Sequence, residues 1–454
     1  MGRQRGRIAA FILIGVTVGM AAVFWPPGNW REGAGLAQRW LHPALIGAME
    51  WLSDSLSGVF YLTDPVAAPD CGDPAAVEAV PDSLRFRSQV KPGSEIVVAA
   101  VGDLLIQTSL QNQAATHPFG FMSLWHGTAD LMRNADIAYA NLEGTVAQDI
   151  AVDGSISEKP APPGDRHIYT GYPQYNYPPA MLNALAALGV DVVSTANNHA
   201  LDRYWRGVDR TLDALNKAGI KATGTRRSTE KRDVWHTLTV AKGKTIAWLA
   251  CSYGTNGIAD TKNQVLLCYR DREKVLKLIA GLRADPRVDA VILTPHWGRE
   301  YTHTPDAAQR MLARKAVEAG AHAVIGAHPH VVQPWEIHRT SSGHEGLIAY
   351  STSNFVGGYR SLARRTALIV LIGLGETEDG RLAVGGARYV PLRMTFNAPA
   401  ASGRISVQAI DRIGPVGRAN RAHITQIVPA GLIHPPRTPL SALAPCPAPE
   451  ILTG

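Results

Sequence analysis

Short apolar runs that end in polar clusters organise the chain between about residue 95 and residue 412. Runs rich in β-branched residues predict buried strands over 96–101, 137–140, 190–193, 290–293, 323–325 and 347–350. The stretches between them have helical periodicity and predict helices over 208–218, 273–282 and 306–318, the first with Gly219 as its C-cap. Strands that alternate with helices predict an α/β sheet.

Residues that could bind a metal ion follow these strands, at the strand ends where α/β sheets usually bind ligands. Asp103 and Glu143 offer carboxylate oxygens, and one carboxylate could bridge two ions. His328 and His330 flank Pro329, and alternation along an extended segment would place both rings on one side. Taken singly, each residue could also be a turn, cap or surface residue. The predicted ligand set is Asp103, Glu143, His296, His328 and His330, with the amide oxygen of Asn198 as a weaker sixth ligand.

His199 is the candidate proton donor, because an imidazole beside a metal site can protonate a leaving group. Asp202 lies three residues further on, where a carboxylate at a helix start could hydrogen-bond the ring. The alternative is an N-cap Asn198 followed by a solvent-facing histidine. The sequence contains neither a G-x-S-x-G motif nor a P-loop, so other hydrolytic and nucleotide-binding sites are not indicated.

The N-terminus predicts export and attachment to a membrane. Arginines at positions 3, 5 and 7 precede an uncharged apolar run over 8–25, whose length reaches the lower limit for a membrane-spanning helix. We expect a single-pass anchor with the remaining chain periplasmic or on the cell surface, and a cleaved signal peptide is the alternative. Four cysteines fit an exported protein with two disulfides, for which three pairings are possible, and we favour Cys251–Cys268 with Cys71–Cys446.

Composition predicts the domain boundaries of the chain and the chemical class of its binding partners. We expect an anchor or signal over 1–28, a stalk over 29–92, one catalytic-type domain over 93–412 and a proline-rich tail over 413–454. The net charge of +7 suits an anionic polymer or a small anionic substrate. The arginines are dispersed and are not interleaved with aromatic residues, so no nucleic-acid partner is expected.

The ordered motifs resemble those of the capsule-synthesis CapA family. They are Gly102-Asp103, Asn141-Leu142-Glu143, Asn197-Asn198-His199, 253–257, 296–301, 326–330 and 351–355. This family is named for poly-γ-glutamate capsule biosynthesis and is similar in fold to the calcineurin-like metallophosphoesterases. The resemblance implies a four-layer αββα sandwich of two mixed sheets. It also implies a substrate side lined by Tyr253, Asn256, Arg299, Glu300 and Tyr301.

Four positions depart from the motifs of the wider superfamily. Leu105 replaces a histidine ligand, which leaves one of two metal positions short of a nitrogen atom. Ala327 separates Gly326 from the paired histidines, while Tyr204 and Ser353 stand where glycine is usual. These departures leave the predicted ligands in place. They predict that the loops carrying the ligands differ in geometry from those of the wider superfamily.

The expected function is that of a metallohydrolase acting in the biosynthesis of a capsule or a similar anionic polymer. One or two divalent ions (manganese, iron, zinc or magnesium) would activate water and polarise an ester, phosphoester or amide. Arg299 would pair with a carboxylate or phosphate of the substrate. The alternative is a polymer-binding factor of a capsule synthase or export complex that catalyses no reaction. A structural protein with a dead site would instead have scrambled ligand positions.

Overall fold

Two mixed β-sheets form the body of the protein in a computed structural model, which describes residues 80–397, 404–436 and 440. The first sheet has the spatial order β14 (Arg404–Ala409), β13 (Leu382–Asn397), β12 (Thr366–Glu376), β1 (Ile96–Leu104), β2 (Ile137–Leu142), β3 (Val192–Ser194) and β4 (Lys221–Thr223), with β11 (Asn354–Val356) also paired to β1. The second has the order β5 (His236–Ala241), β6 (Lys244–Ser252), β7 (Ala290–His296), β8 (Ala323–Ile325), β10 (Glu345–Ala349) and β9 (Trp335–Arg339).

Parallel pairs lie at the centre of both sheets, and antiparallel strands complete them. Strands β1 to β4 pair in parallel, as do β6, β7, β8 and β10. The helices of the described residues are α1 (Thr108–Thr116), α2 (Ala129–Arg133), α3 (Ala180–Leu188), α4 (Tyr204–Ala218), α5 (Arg272–Ala284), α6 (Ala307–Glu318) and α7 (Arg418–Thr425). None of these helices is both long and apolar enough to cross a membrane.

Alternation along the strands produces separate cores on the two faces of each sheet. In β1, Ile96 and Val98 belong to the core between the sheets, whereas Val97 and Ala99 belong to the core on the outer face. Across the interface, the ring of Tyr139 stacks on Trp248 with centroids 5.3 Å apart. Because side chains on successive positions point to opposite faces, one fully buried strand serves both cores.

Helices cover both outer faces. Residues of α1, α2 and α3 share the outer core of the first sheet, and residues of α5 and α6 share that of the second. The layers therefore follow the predicted order of helices, sheet, sheet and helices. The predicted helices are also present, and Gly219 ends α4 in a left-handed conformation with φ of 75°. Asp306 caps α6 through a reciprocal capping box with Gln309.

The described ends of the chain pack against this body. The backbone N–H groups of Arg87 and Ser88 donate to the Glu345 carboxylate, and Ile424 of α7 is buried in the core between the sheets. The domain boundaries at 92 and 412 remain predictions. The apolar run 8–25, the stalk up to residue 79 and the pair Cys71–Cys446 lie outside the described residues. The predicted disulfide Cys251–Cys268 is present.

Gly102 permits the close approach of two strands beside the polar strand ends. The N–H of Asp103 donates to the carbonyl of Ser353 at 3.1 Å, and Asp103 lies opposite Asn354 of β11. A Cβ atom on Gly102 would overlap that same carbonyl oxygen. The absence of a side chain at this position therefore sets the register that positions Asp103.

We expect Gly102→Ala to lower the free energy of unfolding by about 3 kcal/mol or more, because backbone atoms must move apart to admit the methyl group. Denaturant unfolding of the purified protein measures this change. Gly281→Ala is the matched control, since a Cβ atom at this helical position meets nothing within 4 Å. That variant should retain or gain stability. Equal stability of the two variants would contradict the proposed register constraint.

Candidate metal centre

The predicted ligands come together at one edge of both sheets, where parallel strands end. Asp103 lies in register with Asn141 of β2, and Glu143 follows that strand directly. From the second sheet, His296 is the last residue of β7, while the His328–His330 segment follows β8. Because both sets of strands end at this edge, carboxylates from one sheet meet imidazoles from the other.

Two groups of buried side chains could each hold a metal ion, and they share Glu143. One group is Asp103, Glu143 and His296, and the other is Glu143, His328 and His330. Within each group the ligand atoms lie within 4.8 Å of one another. Shared use of Glu143 is the arrangement in which one carboxylate bridges two neighbouring ions.

Glu143 gives the clearest test of whether these residues fit a cation. The side chain is fully buried, and neither carboxylate oxygen has a hydrogen-bond partner among the described residues. Its Oε1 atom lies 3.5 Å from His296 Nε2 and 3.9 Å from His330 Nε2. Burial, with the nearby charge of Asp103, raises the pKa of Glu143 well above 4.5. A divalent cation would satisfy both oxygens and favour the ionised form, so the residues fit a metal ion.

Burial favours the neutral form of His296 and His328, which is the form that metal ions require. It lowers the pKa of His296 well below 6.5, with further contributions from His328 and His330. It also lowers the pKa of His328 to about 3, and His328 Nδ1 has no hydrogen-bond partner among the described residues. Neutral imidazole nitrogens without other partners are available as ligands.

The extended conformation predicted for the paired histidines is wrong, although both rings do reach the site. The segment is not extended, because φ is 96° at His328 and 55° at His330. The turn is held by Asp103, whose Oδ2 atom lies 3.3 Å from the His328 backbone N and 3.1 Å from His330 Nδ1. Asn354 contributes by donating its Nδ2 to the carbonyls of His330 and Arg364.

Asn198 connects the metal ligands to the proton donor. Its Oδ1 atom lies 2.8 Å from His296 Nε2, and its Nδ2 donates to Asn256 Oδ1 at 3.2 Å. The Nδ2 of Asn256 in turn lies 3.5 Å from His199 Nδ1. The amide side chains therefore form one chain of contacts from the ligand His296 to His199.

His199 and Asp202 are in contact, with Nδ1 and Oδ2 2.7 Å apart. The contact lies in the turn before α4, because the helix begins only at Tyr204. The ring of Tyr175 meets His199 edge to face with centroids 4.7 Å apart, and its backbone N–H donates to Asp202. Burial raises the pKa of Asp202, while the hydrogen bond to His199 opposes this. Position and orientation of the imidazole are thus fixed from two sides.

Four of the five predicted substrate residues border the ligands. Tyr253 packs on His328 with centroids 4.4 Å apart, and Asn256 contacts Asn198. The half-exposed ring of Tyr301 lies 6.0 Å from His330. Glu300 is exposed, yet its charge contributes to the raised pKa of Glu143.

For Arg299, unlike the other four residues, no contact with the ligands supports a place at the substrate side. Its side chain is exposed and forms no ion pair with any described residue. The catalytic and substrate roles of the predicted residues remain predictions.

Three further residues at the site were not predicted individually. Asn141 donates to Asp103 Oδ1 at 2.8 Å and lies 3.1 Å from His296 Nδ1, so it orients two ligands. The guanidinium of Arg364 stacks over the rings of Tyr301 and Tyr359, at 4.7 and 5.0 Å. Asn141 could have been found from its place at the end of a strand. Arg364 and Tyr359 lie in a loop whose sequence carries no comparable signal.

The departures from glycine coincide with strained backbone. Tyr204 has φ of 54° and Ser353 has φ of 67°, so both adopt a left-handed conformation that glycine would adopt more easily. Ala327 is buried, and its backbone pairs with Pro295 and Trp297 beside the ligand His296. The loops therefore keep their course at all three positions. Leu105 is buried and offers no ligand atom.

Comparison with known proteins relates the chain to bacterial capsule synthesis proteins. The family model described as bacterial capsule synthesis protein PGA_cap matches residues 97–359. The chain is similar to the PGA biosynthesis protein CapA of Bacillus subtilis (strain 168), with 28% identity over 65% of this chain and 73% of that protein. It is also similar to the capsule biosynthesis protein CapA of Bacillus anthracis, with 24% identity over 59% of this chain and 61% of that protein.

Among solved structures, the chain is similar to the NAD nucleotidase of Haemophilus influenzae. The TM-score is 0.39 and the identity 10%, over 74% of this chain and 57% of that one.

We expect Glu143→Gln to stabilise the metal-free protein by about 1–3 kcal/mol, because the change removes a buried carboxylate without partners. The pKa of Glu143 is raised, so the folded state keeps a proton that the unfolded state releases. The gain should therefore grow as the pH rises above the ordinary value of about 4.5. The variant should also lose the increase in Tm that divalent ions give the unaltered protein. Thermal unfolding with and without a chelator measures both effects.

Glu345→Gln is the matched control for this prediction. Its carboxylate is also buried, but Arg339 and the backbone of Arg87 and Ser88 donate to it. This variant should lose about 1.5–3 kcal/mol of stability and keep its response to metal ions. A metal-free Glu143→Gln protein that is less stable than the unaltered chain would show that Glu143 has a structural partner.

Proposed function

The chain belongs to the bacterial capsule synthesis protein family PGA_cap, and from this membership we propose that it is a metal-dependent hydrolase acting in anionic polymer biosynthesis. The substrate we propose is poly-γ-glutamate or a similar polycarboxylate, since the names of the related Bacillus proteins refer to PGA and capsule biosynthesis. The bond cleaved would be an ester, phosphoester or amide. The net charge of +7 favours association with such a polymer.

The observation that carries the proposal is the buried Glu143 carboxylate without hydrogen-bond partners among the described residues, grouped with His328, whose Nδ1 also has none. A purely structural site would pair this charge with a donor from the protein. The residues that would hold one or two ions are Asp103, Glu143, Asn198, His296, His328 and His330. When bound, a divalent ion would supply Lewis acidity and a water activated near neutral pH.

His199 and Asp202 would supply the proton that the leaving group needs. His199 Nδ1 faces Asp202, which leaves Nε2 as the nitrogen that can donate to a leaving group. Asp202 accepts from Nδ1–H, so the ring donates from Nε2 when both nitrogens carry a proton, and Tyr175 restricts its rotation. Because the imidazole is held before substrate binds, little reorganisation is needed during proton transfer.

Anionic groups of the substrate would meet Arg364 at the mouth of the site. Its guanidinium is held over Tyr301 and Tyr359, and both of these rings lie near His330, with centroids 6.0 and 5.7 Å from it. Stacking holds the planar group and its Nε donates to Ser361 Oγ, which leaves the Nη groups available for a carboxylate. The exposed Arg299 would provide a second, more mobile cation, as its sequence position suggests.

Polymer binding without hydrolysis is the second candidate, and Leu105 favours it. The side chain is 2% exposed and occupies a position where the wider superfamily has a histidine ligand. A site with fewer nitrogen ligands binds a second ion less tightly. In this version the domain would hold the polymer as part of a synthase or export complex.

We further propose that the domain acts outside the cytoplasm, attached to the membrane through the apolar run 8–25. Arginines 3, 5 and 7 before this run support that orientation. The disulfide Cys251–Cys268 supports an oxidising compartment, where such bonds persist.

His199→Gln tests the catalytic role. We expect turnover to fall by about 10²-fold or more, because the general acid is lost while the metal ligands remain. The assay uses the metal-loaded protein and follows both phosphoester hydrolysis and shortening of poly-γ-glutamate, alongside metal content by elemental analysis. His126→Gln is the control, since this histidine is exposed in a short 3-10 helix away from the ligands.

The outcomes separate the two candidates. Loss of turnover with unchanged metal content supports hydrolysis. If the unaltered protein binds metal and polymer but converts neither substrate, the binding role is correct and hydrolysis is not. If it binds no divalent ion, the metal centre itself is refuted.

A further inference from the structure

A second concave site lies between two segments that continue the chain from residues of the candidate site. It is a cleft of about 540 Å³, within the roughly 300–1,000 Å³ usual for ligand sites. One wall is the start of α4 at Tyr204, Trp205 and Arg206, directly after Asp202. The other wall is the loop at Ile258 and Ala259, which follows the site residue Asn256. Both walls are therefore anchored within three residues of the proposed active site.

Trp205 holds two cations beside this cleft. The guanidinium of Arg206 stacks over the indole at 4.5 Å, and the ammonium of Lys262 lies 5.6 Å from the ring centroid. Neither cation forms an ion pair with any carboxylate of the described residues. Other arginines near α4 are paired, as Arg210 is with Asp149. Both side chains are exposed, so their charges are available to an anionic ligand.

One further cation and one carboxylate line the cleft. The buried guanidinium of Arg203 donates to the carbonyls of Ile150, Ile168 and Asp202, so it adds a positive charge that no carboxylate contacts directly. The one acidic residue of the lining, Asp153, accepts a hydrogen bond from the backbone N–H of Ser155.

Tyr204 places an aromatic ring at the cleft although its backbone conformation is unfavourable. Its φ of 54° is unfavourable for a residue with a side chain, and the ring is 39% exposed. A tyrosine held in such a conformation receives little compensation from burial. Strain of this kind at an exposed position beside a site points to use of the side chain by a ligand.

We propose that this cleft binds a further stretch of the polycarboxylate chain whose reacting bond lies at the metal centre. The inference rests on the proposed function, because it assigns the cleft to the same polymer. Carboxylates of the chain would pair with Arg206 and Lys262, and its methylene groups would pack on Tyr204 and Trp205. The cleft thereby makes affinity depend on chain length, since a short oligomer can occupy only the metal centre.

The test compares a long poly-γ-glutamate chain with a short oligomer, each fluorescently labelled, by anisotropy with the full-length, metal-loaded protein. In the Arg206→Gln/Lys262→Gln double variant we expect about fivefold weaker binding of the long chain, as two exposed charge contacts are lost. Binding of the short oligomer should not change. The salt dependence of long-chain binding should also become weaker.

Two further variants are controls, one for loss of folding and one for the change in net charge. Tyr204→Gly relieves the unfavourable φ, so its Tm should not fall, yet binding of the long chain should weaken. Lys277→Gln/Arg418→Gln removes the same charge from exposed positions on α5 and α7, which do not line the cleft, and should leave the difference between chains intact.

Equal loss of binding for both chain lengths, or an equal effect of the Lys277/Arg418 control, would overturn the assignment. If the protein hydrolyses nothing but long-chain binding still depends on Arg206 and Lys262, the cleft stands and the hydrolase proposal fails. If the unaltered protein binds the long chain no better than the short oligomer, the cleft proposal fails, whatever the hydrolysis assay shows.

Discussion

One buried carboxylate sets the requirements for the rest of this structure. Glu143 follows β2 and lies between imidazoles of the other sheet, with both oxygens lacking hydrogen-bond partners among the described residues. A buried charge of this kind costs several kcal/mol unless a counter-ion compensates it. The surrounding elements give it no such partner from the protein. They hold it rigidly through the close contact at Gly102 and the register of β1, β2 and β11, as expected of a ligand arranged before its ion binds.

The fold and most of the site were predictable because they depend on local periodicity. Strand ends place Asp103, Glu143 and His296 correctly, since parallel strands of a sheet end at a common edge. The conformation around His328 was not predictable, because positive φ at a non-glycine residue is imposed by tertiary contacts. The cleft beside α4 was not recognised from the sequence, because an aromatic and a basic residue at a helix start look like an ordinary surface.

Backbone strain is concentrated where chemistry is proposed. Eight non-glycine residues of the described chain have positive φ, and six of them lie in or beside the site: Tyr204, Asn256, Tyr301, His328, His330 and Ser353. Each costs on the order of 1 kcal/mol, which the large cores on both faces of each sheet can offset. The protein thus uses stability from its regular layers to hold irregular loops in unfavourable conformations.

Because the ligands are divided between the two sheets, a bound ion would also join the sheets to each other. Asp103 and Glu143 belong to one sheet, and the three histidines belong to the other. An ion bound to both sets would cross-link the two sheets and resist sliding of one over the other. The availability of metal in the surrounding medium would then control how firmly the two sheets are joined.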